Sequence, residues 1–313
     1  MLVVKLEGNR IRFGDRFFVS FQRTLRIPED GQTYPLPPAM GEFPVYEVES
    51  LVPRLSVGRR DLGDFLIPMY QCEALWLGFD GASWRPNAVQ VFAGGVNAVT
   101  GGRRDEGLQS DPQNYVICPD QPWLDGIYVG TALVHQFVAV ALGTGYSIEA
   151  QLTSKEDTGG IQLVVYEPRL GRFSATPPPD SDLRREMQVM AGMDMGLGAG
   201  GKIQQKIYPD PYGVETWDAD NWGSVDVRII NSRQFREITG QAPPPSPVDA
   251  STYAEHGFPW FALYDESQAA LPASEQLAGV QTVGELSGLP ETTTIDAQQL
   301  PVLKLRTPGQ QKS

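Results

Sequence analysis

Cysteine, histidine and long apolar runs are what this chain has least of. Its 313 residues include two cysteines and two histidines. Cys72 and Cys118 lie far apart and neither sits in a CxxC, so they form no disulfide framework; with His135 and His256 they offer no zinc-ligand spacing. Each cysteine is set in apolar sequence, which predicts two buried free thiols. No window approaches 18 consecutive apolar residues, so no transmembrane helix is expected. The N-terminus, MLVVKLEGNRIRF, carries Lys5 and lacks a long apolar stretch. That argues against a secretory signal and makes the cytoplasm the default location, leaderless export aside. Gly196 to Lys202 has the first spacing of a phosphate-cradling loop, but Ile203 stands where Ser or Thr would hold magnesium, so nucleotide binding is disfavoured. These patterns ask for no cofactor and no metal.

Positive charge is also scarce, 25 Lys and Arg against 38 Asp and Glu, for a net charge of −13. The balance is uneven. Residues 1–26 hold six basic residues (Lys5, Arg10, Arg12, Arg16, Arg23 and Arg26) and two acids (Glu7 and Asp15), so this arm is +4 and the remainder −17. An acidic body repels phosphate backbones, which excludes general nucleic-acid binding. The basic arm is expected either to face water or to dock on an acidic surface, of its own body or of a second copy.

Glycine and proline are abundant, 33 and 26 residues, and favour many short strands joined by turns. The densest strand-like sequence runs from Asn87 to Tyr166. Asn87 to Ala98, Tyr115 to Cys118, His135 to Leu142, Tyr146 to Leu152 and Ile161 to Tyr166 are β-branched, aromatic or alternating, each bounded by turn formers. Residues 1–27 read as a three-stranded meander, with Phe17, Val19, Phe21, Leu25 and Ile27 on one face. The reading is a mainly β protein in three parts. An N-terminal β-meander and Pro-rich connector spans 1–44, and a central β-sandwich or barrel-like domain spans 45–170. An irregular C-terminal extension with short helices and a wrapping tail spans 171–313. The loop from Thr100 to Asn114 is polar and Gly-rich, and is expected to be exposed and mobile.

Two clusters carry candidate chemistry. Cys118 to Gly126, CPDQPWLDG, packs a thiol, two carboxylates and a Trp into nine positions, with His135 following. Asp120, Asp125, His135 and Glu149 are the groups a hydrolase acting on a glycan or other polar substrate would use as acid and base. The competing reading is a rigid turn whose Asp side chains bond the backbone. Met187, Met190, Met193 and Met195 are soft enough for Cu(I), but they also suit an adaptable apolar contact surface leading into a flexible glycine-laden loop.

The phrases Tyr34 to Pro38, Phe65 to Gln71, Cys118 to Ile127, Gly159 to Gln162 and Ile207 to Gly213 resemble those of a family of uncharacterised proteins found in bacteria and some fungi. The resemblance runs along most of the chain and implies no activity, so it transfers no functional residue. The expectation is therefore a non-enzymatic binding or self-assembly protein, with itself or another protein as partner. Contacts are expected through Arg10, Arg12, Arg16, Arg23, Arg26, the four methionines and Trp260; the hydrolase is the alternative.

Overall fold

A computed structural model describes residues 1–51, 63–176, 195–241, 249–263, 269–288 and 295–305. In chain order, the first part contains strands β1 (Val4–Glu7), β2 (Arg10–Phe13), β3 (Phe17–Thr24), β4 (Thr33–Tyr34), β5 (Ala39–Glu42) and β6 (Tyr46–Glu47) and helix α1 (Val48–Leu51). Next come β7 (Phe65–Met69), β8 (Ala74–Asp80), β9 (Asn87–Ala93), β10 (Val96–Asn97), β11 (Val116–Cys118) and β12 (Trp123–Leu124). β13 (Gly126–Gly130), β14 (Leu133–Ala141), α2 (Ile148–Thr153) and β15 (Ile161–Pro168) follow. After them are β16 (Met195–Gln204), β17 (Trp217–Asn231), α3 (Ser232–Thr239), α4 (Ala250–Glu255), β18 (Trp260–Leu263), α5 (Glu275–Ala278), α6 (Val283–Ser287) and β19 (Val302–Leu305). The fold is mainly β, and among the described residues no helix is long and apolar enough to cross a membrane.

The meander forms as its hairpin signals direct, with Val4 opposite Phe13 and Ile11 opposite Val19. β3 then pairs with β8 along its length, from Phe18 opposite Asp80 to Thr24 opposite Ala74. Beyond β8 this first layer continues through β14 to β16 and β4. The second layer runs β11, β9, β15, β17, β7. Period-2 alternation turns Ile11, Val19, Phe21 and Leu77 of one layer toward Val89, Val91, Leu163, Val165, Val225 and Val227 of the other; none is more than 2% exposed. The layers also meet at two margins. The Leu2 N–H donates to the Trp222 carbonyl at 2.9 Å, and Met195 pairs with Ile229, so the sandwich is barrel-like. Strands from 1–44, 45–170 and 171–313 thus share one hydrogen-bonded network.

Two local expectations are corrected. Tyr146 to Leu152 is not a strand: the Ser147 hydroxyl accepts from the Ala150 N–H at 3.0 Å and caps helix α2. The run from Met195 to Gly201 is not a flexible loop but the greater part of the buried strand β16, paired with β14. Its glycines lack side chains where neighbours approach. A Cβ on Gly198 would lie 2.7 Å from Val283 of α6, and one on Gly201 would lie 2.3 Å from the Pro28 carbonyl oxygen. The loop from Thr100 to Asn114 is exposed at Arg103, Asp105 and Glu106, and the Gln90 and Asn114 amides both donate to its Gly107 carbonyl, at 2.7 and 2.8 Å.

The C-terminal segments belt the body. Leu277, Val280 and Ile295 enter the main core, and α6 packs on β16. Tyr34 donates through its hydroxyl to the Ile295 carbonyl at 3.1 Å. β18 pairs with β19 on one side and bridges to Leu36 through Phe261 on the other. Of the two thiols, Cys118 is fully buried and pushed well up by that burial. Cys72 departs from the expectation: it is half-buried, in a turn with φ 63°.

Candidate functional site

The four candidate catalytic groups have separate surroundings. Asp120 lies exposed on the turn after β11. Asp125 is 2% exposed; its Oδ2 accepts from the Gln205 amide at 2.7 Å, while its own N–H donates to Gln205 Oε1 at 3.0 Å. Burial pushes its carboxyl up to about 7, opposed by hydrogen bonds from Trp123 and Gln205. His135, on β14, stands opposite Ile127 on one side and Lys202 on the other. Burial and then the Lys202 charge lower its pKa against the opposite pull of Glu285 and Glu29. Glu149 is tied to backbone, accepting from the N–H groups of Asp157, Thr158 and Gly159 at 3.1, 2.8 and 2.7 Å. Among the described hydrogen bonds, those of the Asp125 and Glu149 carboxylates go to Gln205 and to backbone, not to another of the four. Among the described residues, no three His, Cys, Asp or Glu side chains group to hold a metal ion.

Four arginines of the arm pair with acids of the body and the fifth, Arg12, with Glu7 of the arm itself. Arg10 pairs with Glu42 at 2.7 Å, Arg12 with Glu7 at 2.9 Å, Arg16 with Glu167 at 2.6 Å, Arg23 with Glu73 at 2.5 Å and Arg26 with Glu29 at 2.5 Å. Arg23 and Glu73 are the most buried of these pairs, and burial outweighs Arg23 in raising the Glu73 carboxyl. Trp260 is fully buried, 5.9 Å from the Tyr34 ring, where it anchors the tail. Met195 is buried in β16; Met187, Met190 and Met193 lie outside the described residues.

A different surface has the make-up of a binding site. The outer face of the second layer carries Val164 and Tyr166 of β15, with Ser224 and Trp222 directly opposite them on β17. This face holds an open groove of about 510 Å³, within the range of about 300–1,000 Å³ usual for small-ligand sites. Its far wall is Arg104, Asp105 and Gly107 to Leu108, the segment held by Gln90 and Asn114. Arg104 is anchored by Asp226 of β17 at 2.5 Å.

Aromatic rings close one end. Tyr166 and Trp222 have centroids 6.4 Å apart at 38°, and the Tyr166 hydroxyl reaches Gln90 Oε1 at 3.3 Å. Trp217 lies deeper, 1% exposed, its indole N–H donating to Asp210 Oδ2 at 2.8 Å. Trp222 is only half-buried. Arg169, exposed at the same end, spends its Nε–H on the Glu215 carbonyl at 3.0 Å, leaving most of the five donors of its guanidinium. Wall, floor and end thus bring aromatic faces, two guanidiniums, a carboxylate and a hydroxyl into one concavity.

Sequence reasoning passed over this groove. A local signal existed in Trp217-Asp-Ala-Asp-Asn-Trp222, two large rings among acids in the first part of β17. What joins them to Tyr166 and to residues 104–108 is sheet register, which no local pattern encodes. Comparison of the chain with protein-family models, with curated proteins and with solved structures found no match.

Proposed function

We propose that the protein is a non-enzymatic binding protein whose ligand site is the groove over β15 and β17. One observation carries the reading: the groove is open and holds a half-buried Trp222 beside guanidinium, carboxylate and hydroxyl groups, the usual make-up of a recognition site. The catalytic alternative draws support only from Asp125, whose raised pKa suits a general acid. That group is sealed from solvent and bonded to Gln205. Self-assembly through the basic arm loses its electrostatic motive, because the arginines are neutralised within the molecule. The arm also supplies Phe17, Val19 and Phe21 to the core, so it is no detachable docking element.

The reading is tested by saturation-transfer NMR on a mixed library of sugars, short peptides and aromatic acids. Binders that lose their signal with Trp222→Ala, at an unchanged melting temperature, support the groove. Binders indifferent to Trp222→Ala and Arg169→Ala overturn it.

A further inference from the structure

We infer that the groove takes a saccharide built of pyranose rings, a step that rests on the groove being the ligand site. A pyranose presents two kinds of surface, a face of C–H groups and a girdle of vicinal hydroxyls that both donate and accept. The groove offers a counterpart to each. Trp222, half-buried and backed by the buried Tyr166 ring, supplies an aromatic face at one end, on which C–H groups stack while hydroxyls stay wet. Arg169 and Arg104 supply forked donors matched to adjacent hydroxyl oxygens, and Asp105 and Ser224 supply acceptors for the hydroxyl protons. Asp105 is 76% exposed and held only by a long, solvent-exposed pairing with Arg103 at 3.5 Å, so it can turn toward a ligand.

The same residues disfavour other ligand classes. A purely apolar ligand would strip water from Arg104, Asp105 and Arg169, whose bonds to Asp226, Arg103 and the Glu215 carbonyl leave polar atoms of each unmatched. A nucleic-acid strand would meet Asp105 and Asp226 on a molecule of net charge −13. An extended peptide binds sheets by adding a strand to an open edge. Here the floor is a sheet face, because β15 is already bonded on both sides, Val164 facing Gln90 of β9 and Ser224 of β17. A polyhydroxylated ring needs no backbone ladder and uses both the apolar and the ionic parts of the site.

The experiment is a calorimetric titration of the full chain with hexaoses of α- and β-linked glucose, β-linked xylose and β-linked N-acetylglucosamine, and with an oligogalacturonate. Neutral and acidic decapeptides serve as controls. The expected result is saturable binding of at least one saccharide. Its affinity should fall at least tenfold with Trp222→Ala and severalfold with Arg169→Ala, and stay unchanged with Phe258→Ala, an exposed site on the tail. A peptide that binds in a Trp222-dependent way while no saccharide does would overturn the saccharide and leave the groove standing. A saccharide that binds equally well to Trp222→Ala and Arg169→Ala would overturn both. No binding by any saccharide overturns this inference.

Discussion

Arg16 and Glu167 are 151 positions apart in the chain, yet Arg16 Nη2 lies 2.6 Å from both carboxylate oxygens of Glu167. This contact rivets the N-terminal meander to the end of β15, beside the groove-lining Tyr166. Glu167 is 6% exposed in its side chain and also receives Arg85 at 3.3 Å and the Asn87 amide at 3.1 Å. Arg16→Ala leaves the carboxylate buried with weaker company. Urea unfolding should report a loss of about 2–3 kcal/mol, toward the low end for a broken buried pair because Arg85 and Asn87 remain. A change within about 0.5 kcal/mol would show the arm to be only loosely applied.

Asp125 makes stability depend on pH. Its folded-state pKa, about 7, is raised from 3.8, so between those values the native state holds a proton that the unfolded chain has released. Its stabilising contribution is full below about pH 4 and is lost as pH rises through 7. Glu73 is raised as well and acts in the same direction. Asp125→Asn keeps an acceptor for Gln205 and removes the titration. The fall in stability from pH 4 to pH 8 should therefore shrink in the variant, by on the order of 4 kcal/mol. Parallel wild-type and variant profiles would contradict this.

Gly198 tests why a glycine run makes a strand. A methyl group there meets Val283 and Val140 at 2.7 and 2.9 Å, so Gly198→Ala should cost about 1–3 kcal/mol as an overpacked core. Hydrogen exchange should rise in α6, which the methyl group displaces. Faster exchange spread evenly over the body, with α6 no worse than the rest, would count against this packing role.

The two thiols should separate kinetically. Cys118 is fully buried and Cys72 only half-buried, so a disulfide reagent in native buffer should titrate one thiol quickly and the second only on unfolding. Two protected thiols would restore the reading that both are buried.

The alternating strands were legible because burial leaves a period of two in sequence. Phe17, Val19, Phe21, Leu25 and Ile27 read as one face, and all are at most 1% exposed. The glycine-rich part of β16, Met195 to Gly201, was not legible, since glycine has low strand propensity and its role depends on Pro28 and Val283, distant in the chain. The bonds that Glu149 makes to backbone and Asp125 to Gln205 were not legible, because an ionisable side chain carries the same letter whatever it bonds. The groove escaped because Tyr166, Trp222 and Arg104 meet only through the register of β15 on β17 and a loop fixed by Gln90.

The central claim, that the molecule works through the groove and not through its scattered carboxylates, is tested most directly in the indole region of a nitrogen-15 proton spectrum. The six tryptophans give six side-chain resonances, which Trp→Phe variants assign. Titration with the saccharide panel should move the Trp222 indole saturably and leave the amides of Asp120, Asp125, His135 and Glu149 in place. Shifts centred on those four residues, with Trp222 unmoved, would contradict the account.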